Sequence, residues 1–99
     1  MITSKNLEGS NLTVALEGRL DTLTAPQFES DLSACLDGIS ALVLDFAKVA
    51  YISSAGLRVL LSTQKKMNAA GGSLTIANAV PAVREVFDIT GFSDILNLA

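Results

Sequence analysis

Two adjacent serines, followed by a small residue, a glycine and a leucine, form the stretch of this sequence best suited to chemistry. They are Ser53 and Ser54, within the segment Tyr51-Ile52-Ser53-Ser54-Ala55-Gly56-Leu57-Arg58. An apolar stretch precedes them and a helical pattern follows, so the serines are predicted to lie where a strand leads into a helix. The first turn of a helix has free N–H groups and a partial positive charge, which favour a phosphate. A phosphoserine there would be tolerated by the fold, as a reversible switch requires.

The same two serines have a simpler interpretation as helix caps. Serine is among the commonest N-cap residues, and position alone favours capping over phosphorylation. Gly56 would lie inside the helix, where glycine costs up to about 1 kcal/mol relative to alanine. Its presence therefore predicts that another part of the molecule approaches the first turn closely.

Other chemistry is excluded by what the sequence lacks. There is no histidine, so Ser-His and Cys-His nucleophile pairs and histidine metal sites are ruled out. No Walker A pattern and no G-x-G-x-x-G occurs. Cys35 is the only cysteine, so no intrachain disulfide forms, and we expect it to be a small buried apolar residue. No catalytic residue, metal or cofactor is expected, and any chemistry must come from a partner.

The charges argue against nucleic-acid and membrane partners. Seven basic and ten acidic residues give a net charge of -3, and only Lys65 and Lys66 adjoin among the basic ones. Nucleic acids and anionic membranes both require a concentrated basic surface. No apolar run approaches the ~20 residues that span a bilayer, and no signal peptide is indicated. The sequence predicts a cytoplasmic protein.

The first part of the chain predicts two strands and a helix. Residues 2–7 and 11–17 alternate in polarity and should pair as antiparallel strands. Residues 24–36 have helical periodicity, with Thr24 and Gln27 as a capping box and Pro26 in the first turn. Gly38 should end this helix.

The remainder of the chain alternates strands and helices. Residues 41–46 are almost continuously apolar, which is typical of a central strand covered on both faces, and residues 47–52 are predicted to be a loop. A helix should run from Ser53 or Ser54 to about residue 69. A strand at 73–77 and a third helix, capped by Asn78 and ended by Gly91, follow. Residues 95–98 could be an edge strand or a docked tail. The buried stripe of the second helix is predicted to be Leu57, Leu60, Leu61 and Met67.

This order of elements predicts an α/β fold in one domain, residues 1–99, with a mixed sheet of four to five strands packed with helices. Crossovers through helices should be parallel and right-handed. No linker, repeat or low-complexity segment divides the chain.

Three segments match one family pattern, in order, along nearly the whole chain. The first is Asp45-Phe46 through Val49, Tyr51-Ile52 and Ser53-Ser54-Ala55-Gly56-Leu57. The second is Gly18-Arg19-Leu20-Asp21-Thr22 through Ala25-Pro26. The third is Pro81-Ala82-Val83 through Val86-Phe87 and Thr90-Gly91-Phe92. Together they resemble the STAS domain, the family of sulfate transporters and anti-sigma factor antagonists. The resemblance implies a single STAS-like domain.

The resemblance also implies which residues act. The family's phosphoacceptor serine lies two residues before a Gly-Leu pair, which is Ser54 here. Ser53 stands where the family usually has aspartate, so a charge beside the acceptor is missing, and Ala55 stands where a second acceptor often occurs. Asp21 matches an acidic residue in the loop beside the phosphosite, although a loop aspartate ordinarily caps a turn. The implied partner-binding residues are Asp21, Thr22, Ser53, Ser54, Ala55, Gly56 and Arg58.

The function implied is that of the stand-alone bacterial antagonists, because the chain has neither the membrane spans nor the extra N-terminal domain of other members. In such proteins an anti-sigma factor with serine-kinase activity binds the unphosphorylated antagonist and is released when it phosphorylates the serine. A metal-dependent serine phosphatase reverses the modification.

Two alternatives stay open at this point. The protein could be a STAS adaptor in another partner-switching pathway, controlling a phosphatase, a cyclase or secretion. It could also be a nucleotide-binding STAS module, since helix N-termini accept phosphates, although no phosphate-binding lysine loop is present.

Overall fold

Strands with alternating buried and less buried residues build a five-stranded sheet, and the helices pack against it. The computed structural model describes residues 1–99. Strands β1 (Ile2–Glu8) and β2 (Asn11–Leu20) pair antiparallel, and β3 (Ala41–Ile52), β4 (Ser73–Ala77) and β5 (Asn97–Leu98) follow in parallel. The sheet order is β1-β2-β3-β4-β5. The helices are α1 (Ala25–Ser33), α2 (Ser54–Ala69) and α3 (Pro81–Thr90), followed by a 3-10 turn at Phe92–Asp94. The predicted mixed α/β sheet is confirmed, and residues 95–98 end in an edge strand.

The segment 47–52, predicted as a loop, is strand. It extends β3 because β2 also continues to Leu20, and the two pair through Glu17–Lys48, Gly18–Val49 and Leu20–Ile52. The register shifts twice along this pairing, which breaks the regular alternation and hides the strand from a sequence pattern. The extension carries β3 directly to the serines.

The prediction that β3 is covered on both faces is wrong. Leu42, Leu44 and Phe46 are fully buried, whereas the intervening Ala41, Val43 and Asp45 are only half-buried. The same alternation holds for β2 and β4, so the helices cover one face of the sheet and leave the other partly open. The run looked continuous because small apolar residues also occupy the open face.

Both predicted side-chain caps are also wrong. Thr24 precedes α1 but makes no capping bond; its hydroxyl donates to the Arg19 carbonyl at 2.7 Å. The amide of Gln27 donates to Asp31 instead. Asn78 has a left-handed backbone (φ 60°) and donates to the Asp45 carboxylate, and Val80 is the N-cap of α3. Gly91 ends α3 in the left-handed conformation, as predicted (φ 80°).

The core is one cluster between the sheet and the helices. Leu57, Leu60 and Met67 are buried as predicted, but Leu61 is only half-buried, and Val59 and Thr63 belong to the buried face. Cys35 is half-buried, and its thiol donates to the Asp31 carbonyl at 3.0 Å.

None of the helices is long and apolar enough to cross a membrane. No group of three His, Cys, Asp or Glu residues lies close enough together to hold a metal ion.

Candidate phosphorylation and partner-binding site

The carboxyl ends of β2 and β3 bring two connections to the same edge of the sheet. β2 leads into the turn Asp21–Thr24 before α1, and β3 leads through Ser53 into α2. The backbone N–H of Ser53 donates to the Leu20 carbonyl at 2.9 Å, so the start of α2 is tied to the residue before Asp21. Ligands commonly bind at this edge in open α/β sheets. The structure therefore brings together the two predicted parts of the site.

Asp21 organises the turn between β2 and α1. Its Oδ1 accepts hydrogen bonds from the backbone N–H groups of Leu23 (3.0 Å) and Thr24 (3.1 Å) and lies 3.3 Å from the Thr24 hydroxyl. These donors, with the Thr24 backbone N–H foremost, lower the pKa of Asp21 below its ordinary value. Asp21 is thus a turn-capping aspartate that stays ionised, and it adds a fixed negative charge to this edge of the sheet.

Arg19 and Tyr51 continue the edge on β2 and β3. The two residues are register partners, and the guanidinium carbon of Arg19 lies 4.3 Å from the centre of the Tyr51 ring. Arg19 Nε is also 3.6 Å from Asp21 Oδ2. A cation over an aromatic face and beside a carboxylate is favourable on both counts. Sequence reasoning missed this pair because the contact depends on the shifted register of β2 and β3.

The two serines have different environments. Ser53 is the N-cap of α2, with an extended backbone, and its hydroxyl makes no capping hydrogen bond. The Ser53 Oγ is buried without a partner. Ser54 is the first residue of α2, and its side chain is exposed. The simple capping interpretation therefore does not account for either hydroxyl.

Gly56 positions the start of α2 against the sheet. A Cβ at this position would lie 2.7 Å from Leu20 Cγ, 2.8 Å from Ile52 Cγ1 and 2.9 Å from the Leu20 carbonyl oxygen. The close approach that a helical glycine predicted is therefore made by the ends of β2 and β3. Gly56 is buried and offers no side chain to a partner. Its contribution is to let the first turn of α2, with the two serines, lie close to the sheet.

An apolar groove of about 370 Å³ opens beside Ser54. It lies between α2 and the end of α3, and its walls are Ser54, Leu57, Arg58, Leu61, Thr90 and Phe92. A second depression joins three of the predicted residues, Thr22, Ala55 and Arg58, with α1. Leu23, in the Asp21 turn, is 88% exposed. Phe92, Thr90 and Leu61 were not predicted as site residues.

The structure is therefore a small α/β domain with an exposed serine at the first turn of α2. Residues 3–99 match the family model described as "STAS domain". The chain belongs to the STAS domain family, which confirms the resemblance found in the sequence.

Named relatives agree with this assignment. The chain is 39% identical over 99 residues to BtrV of Bordetella bronchiseptica, which is named as a candidate anti-sigma factor antagonist; the match covers 99% of this chain and 84% of BtrV. It is 30% identical over 90 residues to the anti-sigma-B factor antagonist of Bacillus subtilis, covering 91% and 83%. An anti-sigma factor antagonist from Mycobacterium paratuberculosis has the same fold (TM-score 0.85, 29% identity, 99% and 85% covered).

Proposed function

We propose that this protein is an anti-sigma factor antagonist that acts by partner switching. In its unphosphorylated form it binds an anti-sigma factor with serine-kinase activity, and phosphorylation of Ser54 releases that partner. The observation that carries the proposal is the contrast between the two serines. Ser54 is exposed at the first turn of α2, whereas the Ser53 hydroxyl oxygen is buried. Because the attacking hydroxyl must reach the γ-phosphate of ATP in line, Ser54 is the acceptor that a kinase can reach.

The partner-binding surface surrounds Ser54. The apolar groove formed with Leu57, Leu61 and Phe92 would bury a partner's apolar side chain. Arg58 lines this groove with a positive charge, and the Asp21 turn adds a negative charge at the same edge of the sheet. An apolar centre with a charged rim is typical of interfaces that form and dissociate.

Phosphorylation acts locally in this account. It adds between -1.5 and -2 charges at neutral pH. In the free protein that charge is stabilised by the N-terminus of α2. In the complex the phosphate would lose water next to the ionised Asp21 turn, and this costs free energy. Changing the bound fraction from 99% to 1% requires about 5.5 kcal/mol, and no change in the fold is needed.

The chain itself is not proposed to catalyse either step. The partner supplies the kinase activity, and a metal-dependent serine phosphatase removes the phosphate, both in the cytoplasm. We expect the purified protein to show no multiple-turnover hydrolysis of ATP or GTP. Hydrolysis that disappears in Ser54→Ala would favour the nucleotide-binding alternative.

The acceptor is tested by mapping the phosphate. Unphosphorylated protein is used as bait to recover its kinase partner from cells of the source organism, and the pair is incubated with ATP. Mass spectrometry should place the phosphate on Ser54 in the wild type and in the Ser53→Ala control. Ser54→Ala should bind the partner and stay unmodified. A phosphate on Ser53 would overturn the assignment, and a recovered partner that controls no sigma factor would favour the adaptor alternative.

A further inference from the structure

Arg58 lies one helical turn beyond Ser54 on the same helix. Residues four apart in an α-helix share a face, with Cβ atoms about 5–6 Å apart. Both side chains are exposed, and both line the groove formed with Thr90 and Phe92. A long arginine side chain can therefore reach a group attached to the Ser54 oxygen without any movement of the backbone.

The Arg58 guanidinium is available for such a contact. The ion pairs of the structure are Arg19–Asp21 and Lys48–Glu17, and Arg58 takes part in neither. Of the charged groups around it, Glu29 on α1 lines the neighbouring depression but makes no ion pair with it. Asp21 is held by its own turn and by Arg19. The part of α3 that faces the groove contributes no charge.

We propose that Arg58 is the internal counter-ion of phosphorylated Ser54. This inference rests on the proposed function, because it requires a phosphate on Ser54. An anion four residues before a cation is the favourable order on a helix, since it also matches the helix dipole. The planar guanidinium can donate two hydrogen bonds to phosphate oxygens.

The pair gives phosphorylation a second effect on partner binding. In the unphosphorylated protein Arg58 is a free cation on the partner-binding surface. In the phosphorylated protein the same cation is held by the phosphate and is no longer offered to a partner carboxylate. Phosphorylation therefore adds a negative charge to the partner-binding surface and, at the same place, makes a positive charge unavailable to the partner.

The test uses protein with phosphoserine encoded at position 54, so that no kinase is needed. A ³¹P NMR titration measures the second pKa of the phosphate, which is ordinarily about 6. Arg58→Gln should raise this pKa by about 0.3–0.7 units relative to the wild-type residue, because a nearby positive charge favours the dianion. Arg58→Lys, which keeps the charge, should retain most of the lower pKa. Arg84→Gln, on the exposed surface of α3, is the matched control and should change nothing.

A second readout needs no substitution. The Arg58 Nε–H resonance should shift between unphosphorylated and phosphorylated protein, whereas that of Arg84 should not. An unchanged phosphate pKa in Arg58→Gln, or an Arg58 resonance that does not move, would overturn the inference. Either result would leave Ser54 as the acceptor, since that assignment depends on phosphate mapping and partner release.

Discussion

The two ends of α2 differ in whether their backbone groups are capped by hydrogen bonds. At the C-terminal end the backbone closes on itself: the N–H groups of Gly71 and Gly72 donate to carbonyls of the last turn, at 3.1 and 2.7 Å, and Gly71 is left-handed (φ 77°). At the N-terminal end Ser53 makes no capping bond, so the first N–H groups are left for water or an anion. The fold thus closes the helix end that has no role in the proposed switch and leaves open the end where a phosphate would be stabilised.

The packing of the middle of α2 against the sheet positions both ends of the helix. A substitution that weakens this packing should have the largest effect on stability. Leu60 is fully buried against the sheet. Leu60→Ala should lower the free energy of unfolding by about 2–5 kcal/mol, because it removes buried methyl groups and leaves a cavity. Urea denaturation measures this change. Lys65→Ala, at an exposed position of the same helix, is the control and should stay within about 0.5 kcal/mol. A loss that small in Leu60→Ala would contradict the packing of this face.

The two ends can be compared directly through their glycines. Gly56→Ala places a Cβ 2.9 Å from the Leu20 carbonyl oxygen, which cannot move aside easily. It should destabilise the protein by about 1–3 kcal/mol and weaken partner binding, because α2 must shift away from β2. Gly71→Ala meets no atom within 4 Å, and only its left-handed backbone opposes it. This control should cost about 1–2 kcal/mol and leave partner binding unchanged. Equal loss of binding in both variants would show that the two ends of α2 do not differ in their importance for partner binding.

A smaller effect is expected at Asp21, beside the open end. Hydrogen bonds from Thr24 and Leu23 lower the pKa of Asp21. The folded protein therefore favours the ionised carboxylate more strongly than the unfolded chain does. The resulting stabilisation is present above the ordinary aspartate pKa and is lost as pH falls through the lowered value. NMR titration of the Leu23 and Thr24 amides should give a midpoint below 3.8. A midpoint at or above 3.8 would show that these bonds do not form in solution, and Asp21→Asn should abolish the transition.

The sequence predicted most of the elements because their periodicity is local. The strand Ser73–Ala77 and the glycine end of α3 were found with their observed bounds, and α2 begins at one of the two predicted serines. Two of the errors have a clear structural cause. The caps failed because Thr24 bonds instead to the Arg19 carbonyl within its own turn, and Asn78 bonds to the Asp45 carboxylate, which is distant in the chain. The extension of β3 was predicted as a loop because its pairing with β2 is irregular.

The candidate site was predictable only in part. The serines and Asp21 were recognised through the family resemblance, since serine at a helix start indicates a cap as readily as an acceptor. The groove could not be predicted, because Phe92 and Thr90 are more than thirty residues from Ser54 in the chain and meet it only in the fold. The burial of the Ser53 hydroxyl likewise appears only in three dimensions.

The central claim is that a phosphate on Ser54 switches partner binding without changing the fold. Its most direct test is calorimetric titration of the recovered kinase partner with protein carrying serine or encoded phosphoserine at position 54. We expect affinity to fall by up to about 10⁴-fold on phosphorylation, the range needed to go from nearly full to nearly absent binding. Amide NMR spectra should change only around Ser54 and its groove. Equal affinity of the two forms, measured with stoichiometric phosphoserine, would contradict the account.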